Sequence, residues 1–431
     1  MFLLYDLAVH LAVLFSLPYA LVRAYREPRF REGWRERFGI LPPAANPLRL
    51  AGIWVQAVSV GEVMLARVVI GALRERRPDL RCYLTTTTAT GRDLARRNLQ
   101  GRTDALCYFP LDLRSTVRRT CDRLQPALFV ALETEIWPNL LRLLAQRSVP
   151  AVIVNGRISL AAFGRYRRAR FFFRRVLRHL DLALMQTEED AERLIALGMD
   201  PQRVRVTGNL KFDVLTPEAG DPQLESALGI RADELVFIAG STMLGEEEMV
   251  LAAFEAAVAQ RPEALLILAP RHPERWEEVA ALLSRRGVPF VRRSALAGAP
   301  FVERRVLLLD SLGELPRLYA RGRVIFVGGS LVPRGGHNVL EPAAHGRPVI
   351  FGPHMDNFRE VAERLLAGGG AVQVEDGRGL ADAFRRMATD DSLFHRSGDA
   401  ARQVVEANRG ALDRTLSHLE PFLRRFAPAS C

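Results

Sequence analysis

Lysine is almost missing from this 431-residue chain: of its 60 basic residues only Lys211 is an amine, and the other 59 are arginine. A drift that wide reads as codon bias. It singles out the one position where a compact point charge survives, because a planar guanidinium replaces an ammonium poorly. Cysteine is scarce too. Cys82, Cys107, Cys121 and Cys431 form no CxxC pair, which excludes a zinc knuckle, a dithiol redox motif and a disulfide scaffold, and reads as reduced thiols in a cytosolic compartment. No GxGxxG and no Walker A sequence occurs, so neither a dinucleotide nor a nucleoside triphosphate is the natural ligand. His272, His337, His345 and His354 make no i,i+4 pair and have no Asp/His cluster beside them, so no catalytic metal is expected. Acidic residues are outnumbered, 49 to 60, leaving a net charge of +11. That balance suits an anionic partner: nucleic acid, phospholipid headgroups or a phosphorylated substrate.

Long apolar runs are also lacking after the first 22 residues. Phe2 to Val22 is interrupted only by Asp6, His10 and Ser16, with Pro18 near its end. It lies at the lower edge of what a spanning helix needs. No basic segment precedes it and no A-x-A-type cleavage site follows, so an uncleaved anchor or an interfacial helix is expected, a core helix being the plainer alternative. Arg23, Arg26, Arg29, Arg31, Arg35 and Arg37 follow, interleaved with Glu27, Glu32 and Glu36. The positive-inside rule then puts the bulk of the chain in the cytoplasm.

The rest has soluble composition, 48% hydrophobic and 25% charged, and is too long for one core. Short β-rich runs (53–58, 81–86, 127–132, 151–154, 182–186) alternate with amphipathic helical stretches. After a turn-rich segment near 207–233, which contains Pro217, Gly220 and Pro222, the alternation resumes (235–239, 264–268, 306–309, 324–327, 348–350). This predicts two α/β units, each a parallel sheet with helices on both faces, and ligands outside the carboxyl ends of the strands.

Polar and glycine-rich clusters fall at those strand ends. Ser59-Val60-Gly61-Glu62 turns into a helix; Glu62 there is either a simple cap or an anion kept deprotonated as a base. Glu133-Thr134-Glu135-Ile136-Trp137-Pro138-Asn139 carries two carboxylates that cannot both enter a core, so at least one faces a cleft. Gly208-Asn209-Leu210-Lys211-Phe212-Asp213 holds the sole lysine. In the second half come Gly240-Ser241-Thr242, Pro270-Arg271-His272-Pro273-Glu274-Arg275, Ser311-Leu312-Gly313-Glu314, Gly328-Gly329-Ser330 and Arg334-Gly335-Gly336-His337-Asn338-Val339-Leu340-Glu341-Pro342. Such loops offer backbone N–H groups to a phosphate, and Glu341 suits a sugar diol. Together they suggest a nucleotide or nucleotide-sugar site. Between Arg157 and His179 lie eight arginines and no acid, around Phe171-Phe172-Phe173. This is either a solvated basic face or a surface for a phosphorylated lipid; no nucleic-acid motif accompanies it.

In combination and order, these motifs, with Arg35-Glu36-Arg37-Phe38-Gly39 after the anchor, resemble the Kdo transferases, glycosyltransferases that add 3-deoxy-D-manno-octulosonic acid (Kdo) to the lipid A precursor. The resemblance implies a GT-B architecture of two Rossmann-like α/β/α domains facing a cleft: an anchor at 1–25, an acceptor domain at 26–215 and a donor domain at 216–431, with room for the last helix to pack back on the first domain. It implies CMP-Kdo as donor, lipid IVA as acceptor, inversion without metal or cofactor, and the cytoplasmic side of a bacterial inner membrane. By motif, Glu62 would be the general base, and Glu133 and Lys211 would stabilise the transition state. Pro270, Arg271, Leu312, Gly313, Glu314, Asn338, Val339, Leu340 and Glu341 would hold CMP. Gln56 departs from the family, where His is commoner. The alternatives are another GT-B enzyme using a UDP-sugar on a lipid-linked acceptor, and a non-catalytic basic protein docked on anionic membrane.

Overall fold

The computed structural model describes residues 2–26, 31–214, 220–259, 263–296 and 305–426; Glu27, Arg29, Pro217 and Cys431 lie outside them. The chain divides into two compact units, Met1–Val214 with Arg409–Cys431, and Leu215–Asn408. In the first, β1 (Gly52–Ala57), β2 (Cys82–Thr86), β3 (Ala105–Tyr108), β4 (Pro126–Leu132), β5 (Ala151–Gly156), β6 (Leu182–Met185) and β7 (Val204–Val206) form one sheet. Its order is β3-β2-β1-β4-β5-β6-β7, every pairing parallel. The second unit holds β8 (Val236–Thr242), β9 (Leu265–Pro270), β10 (Phe290–Arg292), β11 (Val306–Leu308), β12 (Val324–Val327), β13 (Val349–Phe351) and β14 (Ala371–Gln373). Its order is β10-β11-β9-β8-β12-β13-β14, again all parallel.

Parallel strands covered on both faces read as unbroken apolar runs, and β1 shows why. Trp54 enters one core with Phe129 and Val176, while Ile53, Val55 and Ala57 enter the other with Leu128 and Val152. Strand order reverses between β1 and β4 in the first sheet and between β8 and β12 in the second. Those reversals are where an open α/β sheet leaves a crevice at its carboxyl edge.

The C-terminal helix Ala411–Leu423 belongs to the first unit. Asp213 accepts the N–H groups of Gly410 and Leu412, both at 2.7 Å, at the helix start, and Ala411, Leu416, Leu419 and Leu423 complete the second core. The N-terminal helix runs Phe2–Arg26, and its Phe2–Tyr19 stretch is long and apolar enough to cross a membrane. Cys82, Cys107 and Cys121 are free and buried; burial pushes their thiols up to about 11, 12 and 12, so they are unreactive.

Two sequence expectations change here. Gly240-Ser241-Thr242 forms the end of β8 and not a loop. In the Phe171–Phe173 cluster only Phe171 is exposed, because Phe172 packs on Phe2 and Tyr5 and Phe173 on Tyr166.

Candidate active site

The first unit gathers its chemistry at the carboxyl ends of β1 and β4, on either side of the strand reversal. Ser59 caps the helix Val60–Arg76, and Glu62 folds back over that turn. The Val58 N–H donates to Glu62 Oε2 at 2.7 Å, and the Ser59 hydroxyl donates to Oε1 at 2.9 Å. This is a reciprocal capping arrangement. It fixes the carboxyl group in a buried position, and burial, helped by the charge of Glu133, pushes Glu62 up to about 7. The sequence expectation of a helix-terminal carboxylate kept firmly ionised is thus corrected: desolvation outweighs the cap. A carboxyl titrating near neutrality is the better general base.

Glu133 follows β4 with φ 56°, in the left-handed region that a glutamate rarely enters. Its N–H donates to the Val154 carbonyl of the neighbouring strand, so the sheet holds the strained turn in place. Lys211 Nζ lies 3.7 Å from Glu133 Oε1, both side chains half-buried. The lysine sits on a short 3₁₀ turn between Leu210 and Phe212, both fully buried, and the Asn209 side chain accepts its N–H. Leu210 N–H donates in turn to Asn155 at the end of β5. Glu62, Glu133 and Lys211 therefore converge.

Glu135 joins them without having been singled out: burial, then the Glu62 charge, pushes it up to about 7. Its signal in the sequence was the paired Glu-x-Glu after a strand. Among the described residues, no group of three or more His, Cys, Asp or Glu is arranged to hold a metal ion. Gln56 is buried and spent inside the sheet, accepting from Thr85 and donating to Thr87.

In the second unit the expected nucleotide-binding segments line the carboxyl edge of the sheet. Pro270 ends β9, and the Arg271 N–H donates to the Thr242 carbonyl beside it, leaving the side chain exposed. Leu312 and Gly313 follow β11; Leu312 is 68% exposed and Gly313 has φ 88° with open space around it. Glu314 is held by Arg293 through contacts of 2.9–3.1 Å and by Ser311. Burial would raise its carboxyl, but these partners hold it below the usual range. Its side chain therefore braces the loop. Asn338 donates to Glu341 at 3.0 Å and accepts the Leu340 N–H, while Val339 and Leu340 point into the core. Burial, then the charges of Arg271 and His272, lower His337 to about 4, so this histidine is neutral and lies close to Arg271.

One expected phosphate loop is already filled from within. The buried Glu246 carboxylate accepts the N–H groups of Gly329, Ser330, Leu331 and Met243 at 2.7–3.0 Å. The Gly328–Ser330 turn thus takes an internal carboxyl group, which burial raises above its ordinary value, and the open backbone lies at Gly313.

A family model described as 3-deoxy-D-manno-octulosonic-acid transferase (kdotransferase) matches residues 32–214. The 3-deoxy-D-manno-octulosonic acid transferase of Haemophilus influenzae is 36% identical over 405 residues, 93% of each chain. That of Bordetella pertussis is 37% identical over 395 residues, 90% of this chain and 91% of its own. The chain belongs to the Kdo transferase family. It is therefore a glycosyltransferase, and the GT-B fold is shared with solved structures. The S. aureus MnaA–UDP structure aligns over 88% of this Kdo transferase and 99% of its own chain, with a TM-score of 0.57 and 14% identity. UDP-GlcNAc 2-epimerase from Neisseria meningitidis, bound to UDP-GlcNAc, aligns over 83% and 99%, with a TM-score of 0.52 and 14% identity. At that identity the likeness is one of fold alone.

Proposed function

We propose that the chain transfers Kdo from CMP-Kdo to the lipid A precursor lipid IVA, with inversion and without a metal ion, at the cytoplasmic face of the bacterial inner membrane in lipopolysaccharide core biosynthesis. The observation that carries this reading, in a chain of this family, is the buried Glu62 carboxyl poised near neutrality beside the Glu133–Lys211 pair. The acceptor hydroxyl gives its proton to Glu62 as its oxygen bonds to the anomeric carbon of Kdo. The bond from that carbon to the CMP phosphate breaks, and CMP leaves as the anion. Glu133 stabilises positive charge developing on the sugar, and Lys211 offsets the negative charge of the departing phosphate, a preorganised electrostatic role.

The second unit holds the donor. Arg271 suits the phosphate, the backbone at Gly313 admits the nucleotide closely, and Asn338 and Glu341 bond its polar groups. Pro270 and Leu312 supply apolar contact, Glu314 braces its loop, and Val339 and Leu340 contribute backbone alone. Titration calorimetry with CMP and with UDP tests the donor: the reading expects CMP to bind and UDP to bind far more weakly, and the reverse order would replace it with a UDP-sugar enzyme.

A further inference from the structure

A cavity of about 540 Å³ lies in the first unit against the N-terminal helix, within the usual range of about 300–1,000 Å³ for a ligand site. Val13 and Leu17 of that helix line it on one side, and Trp34, Phe38 and Leu111 supply further apolar lining. Its charged lining is Arg23, Arg37 and the acidic Glu32. Arg37 is fixed, donating to the Thr87 carbonyl at 2.6 Å with its guanidinium 4.4 Å from the Tyr108 ring centre.

The helix that walls this cavity is fastened to the same unit at its start. At its start the Tyr5 hydroxyl donates to Asp112 at 2.8 Å, Asp6 pairs with Arg114 at 2.6 Å, and Phe2 packs on Phe172. Further along, Val13, Leu17 and Arg23 line the same cavity as Trp34 and Phe38. A helix held on its own unit over its first turn, with cavity-lining residues as far along as Arg23, suits a position in the interface. Leu7, Leu14 and Phe15 remain 56–77% exposed along it, which suits acyl chains and not water. In that position the cavity has one wall in the lipid layer.

Another part of the cavity is lined by residues bonded to the turn that holds Glu62. Thr87 and Thr88 line it, and Thr88 bonds the Val58 carbonyl through both its N–H and its hydroxyl. The N–H of that same Val58 binds the Glu62 carboxylate. We propose that this cavity takes one fatty acyl chain of the acceptor lipid, with Arg23 and Arg37 engaging an anionic group on its head, so that the headgroup hydroxyl is delivered beside Glu62. This rests on the transferase reading above.

The test uses the full chain in nanodiscs with CMP-Kdo and two acceptors, tetra-acylated lipid IVA and its deacylated disaccharide bisphosphate. Val13→Trp, which fills the cavity, should lower kcat/KM for the acylated acceptor at least tenfold relative to the deacylated one; an unchanged ratio overturns the proposal. Should the variant not fold, the wild-type protein decides. Lipid IVA carrying a diazirine at one acyl terminus should label the peptides containing Val13, Leu17, Trp34 or Phe38, and unlabelled lipid IVA should compete while phosphatidylglycerol does not. Labelling elsewhere, or displacement by phosphatidylglycerol, overturns it. Absence of Kdo on either acceptor would instead remove the transferase reading, and the cross-linking map stands apart from that result.

Discussion

Lys211 and Glu133 face each other at 3.7 Å at the carboxyl edge of the first unit's sheet, the sole lysine of the chain paired with a glutamate held in left-handed backbone. Neither feature is cheap: the backbone of Glu133 is strained, and the lysine has survived a near-complete replacement of its kind by arginine. A compact ammonium is what the proposed chemistry needs at that point. Lys211→Arg, which keeps the charge, should therefore lose about 10²-fold or more in kcat. Steady-state rates with saturating donor and acceptor check this, and full activity in the arginine variant would sink the argument from composition.

Glu62→Gln keeps an acceptor for the Val58 N–H but removes the base. Turnover should fall about 10²–10⁴-fold while CMP binding stays as it was. In the wild type, log(kcat/KM) should rise with pH and level off above about 7, since only the ionised carboxylate accepts a proton. A profile already flat from pH 5 to 8 would assign the base elsewhere.

The same raised carboxyl has a consequence for stability. Because Glu62 holds its proton more tightly folded than unfolded, its contribution is complete below its ordinary value near 4.5 and is lost as pH rises through about 7. Glu62→Gln should therefore be more stable than wild type at pH 8, by on the order of 1–3 kcal/mol, with the gap closing at pH 4. Thermal melts at the two pH values measure it. A loss of stability at pH 8 would mean that the capping bonds, and not burial, dominate.

Glu246 and Asn338 separate structural from binding roles in the second unit. Glu246→Ala leaves four N–H groups, those of Gly329 and Ser330 fully buried, without their acceptor and should cost about 2–4 kcal/mol of stability. Asn338→Ala should weaken CMP about tenfold with little change in the melting temperature, and Val339→Ala should do the opposite. Paired calorimetry and melting curves distinguish them.

Among the described residues, ten of the fourteen strands are legible in the sequence, and the four that are not, β3, β7, β10 and β14, are the four sheet edges. Each has three or four residues; Arg205 in β7 and Gln373 in β14 face solvent and break the apolar run that marks a central strand, while β3 (Ala105–Tyr108) is apolar throughout but only four residues long. Glu62, Glu133 and Lys211 each stand out in the sequence just beyond a strand or at a turn of unusual composition, but it is the resemblance to the family that joins them in one site. What could not be read was occupancy. The Gly328–Ser330 turn resembles an open phosphate loop until Glu246, more than eighty residues away, is found inside it. The titration of Glu62 is hidden for the same reason, since the cap is local and the burial is not.

Transfer itself tests the central claim most directly. CMP-Kdo is made first, the magnesium of that step is chelated, and the purified protein is added with tetra-acylated lipid A precursor. Mass spectrometry of the lipid should then show a gain of one or more Kdo units with chelator present, and no gain with Glu62→Gln on the same timescale. An unchanged lipid from wild-type protein, with a UDP-sugar turned over in its place, would keep the fold and contradict the donor, the acceptor and the role of Glu62 together.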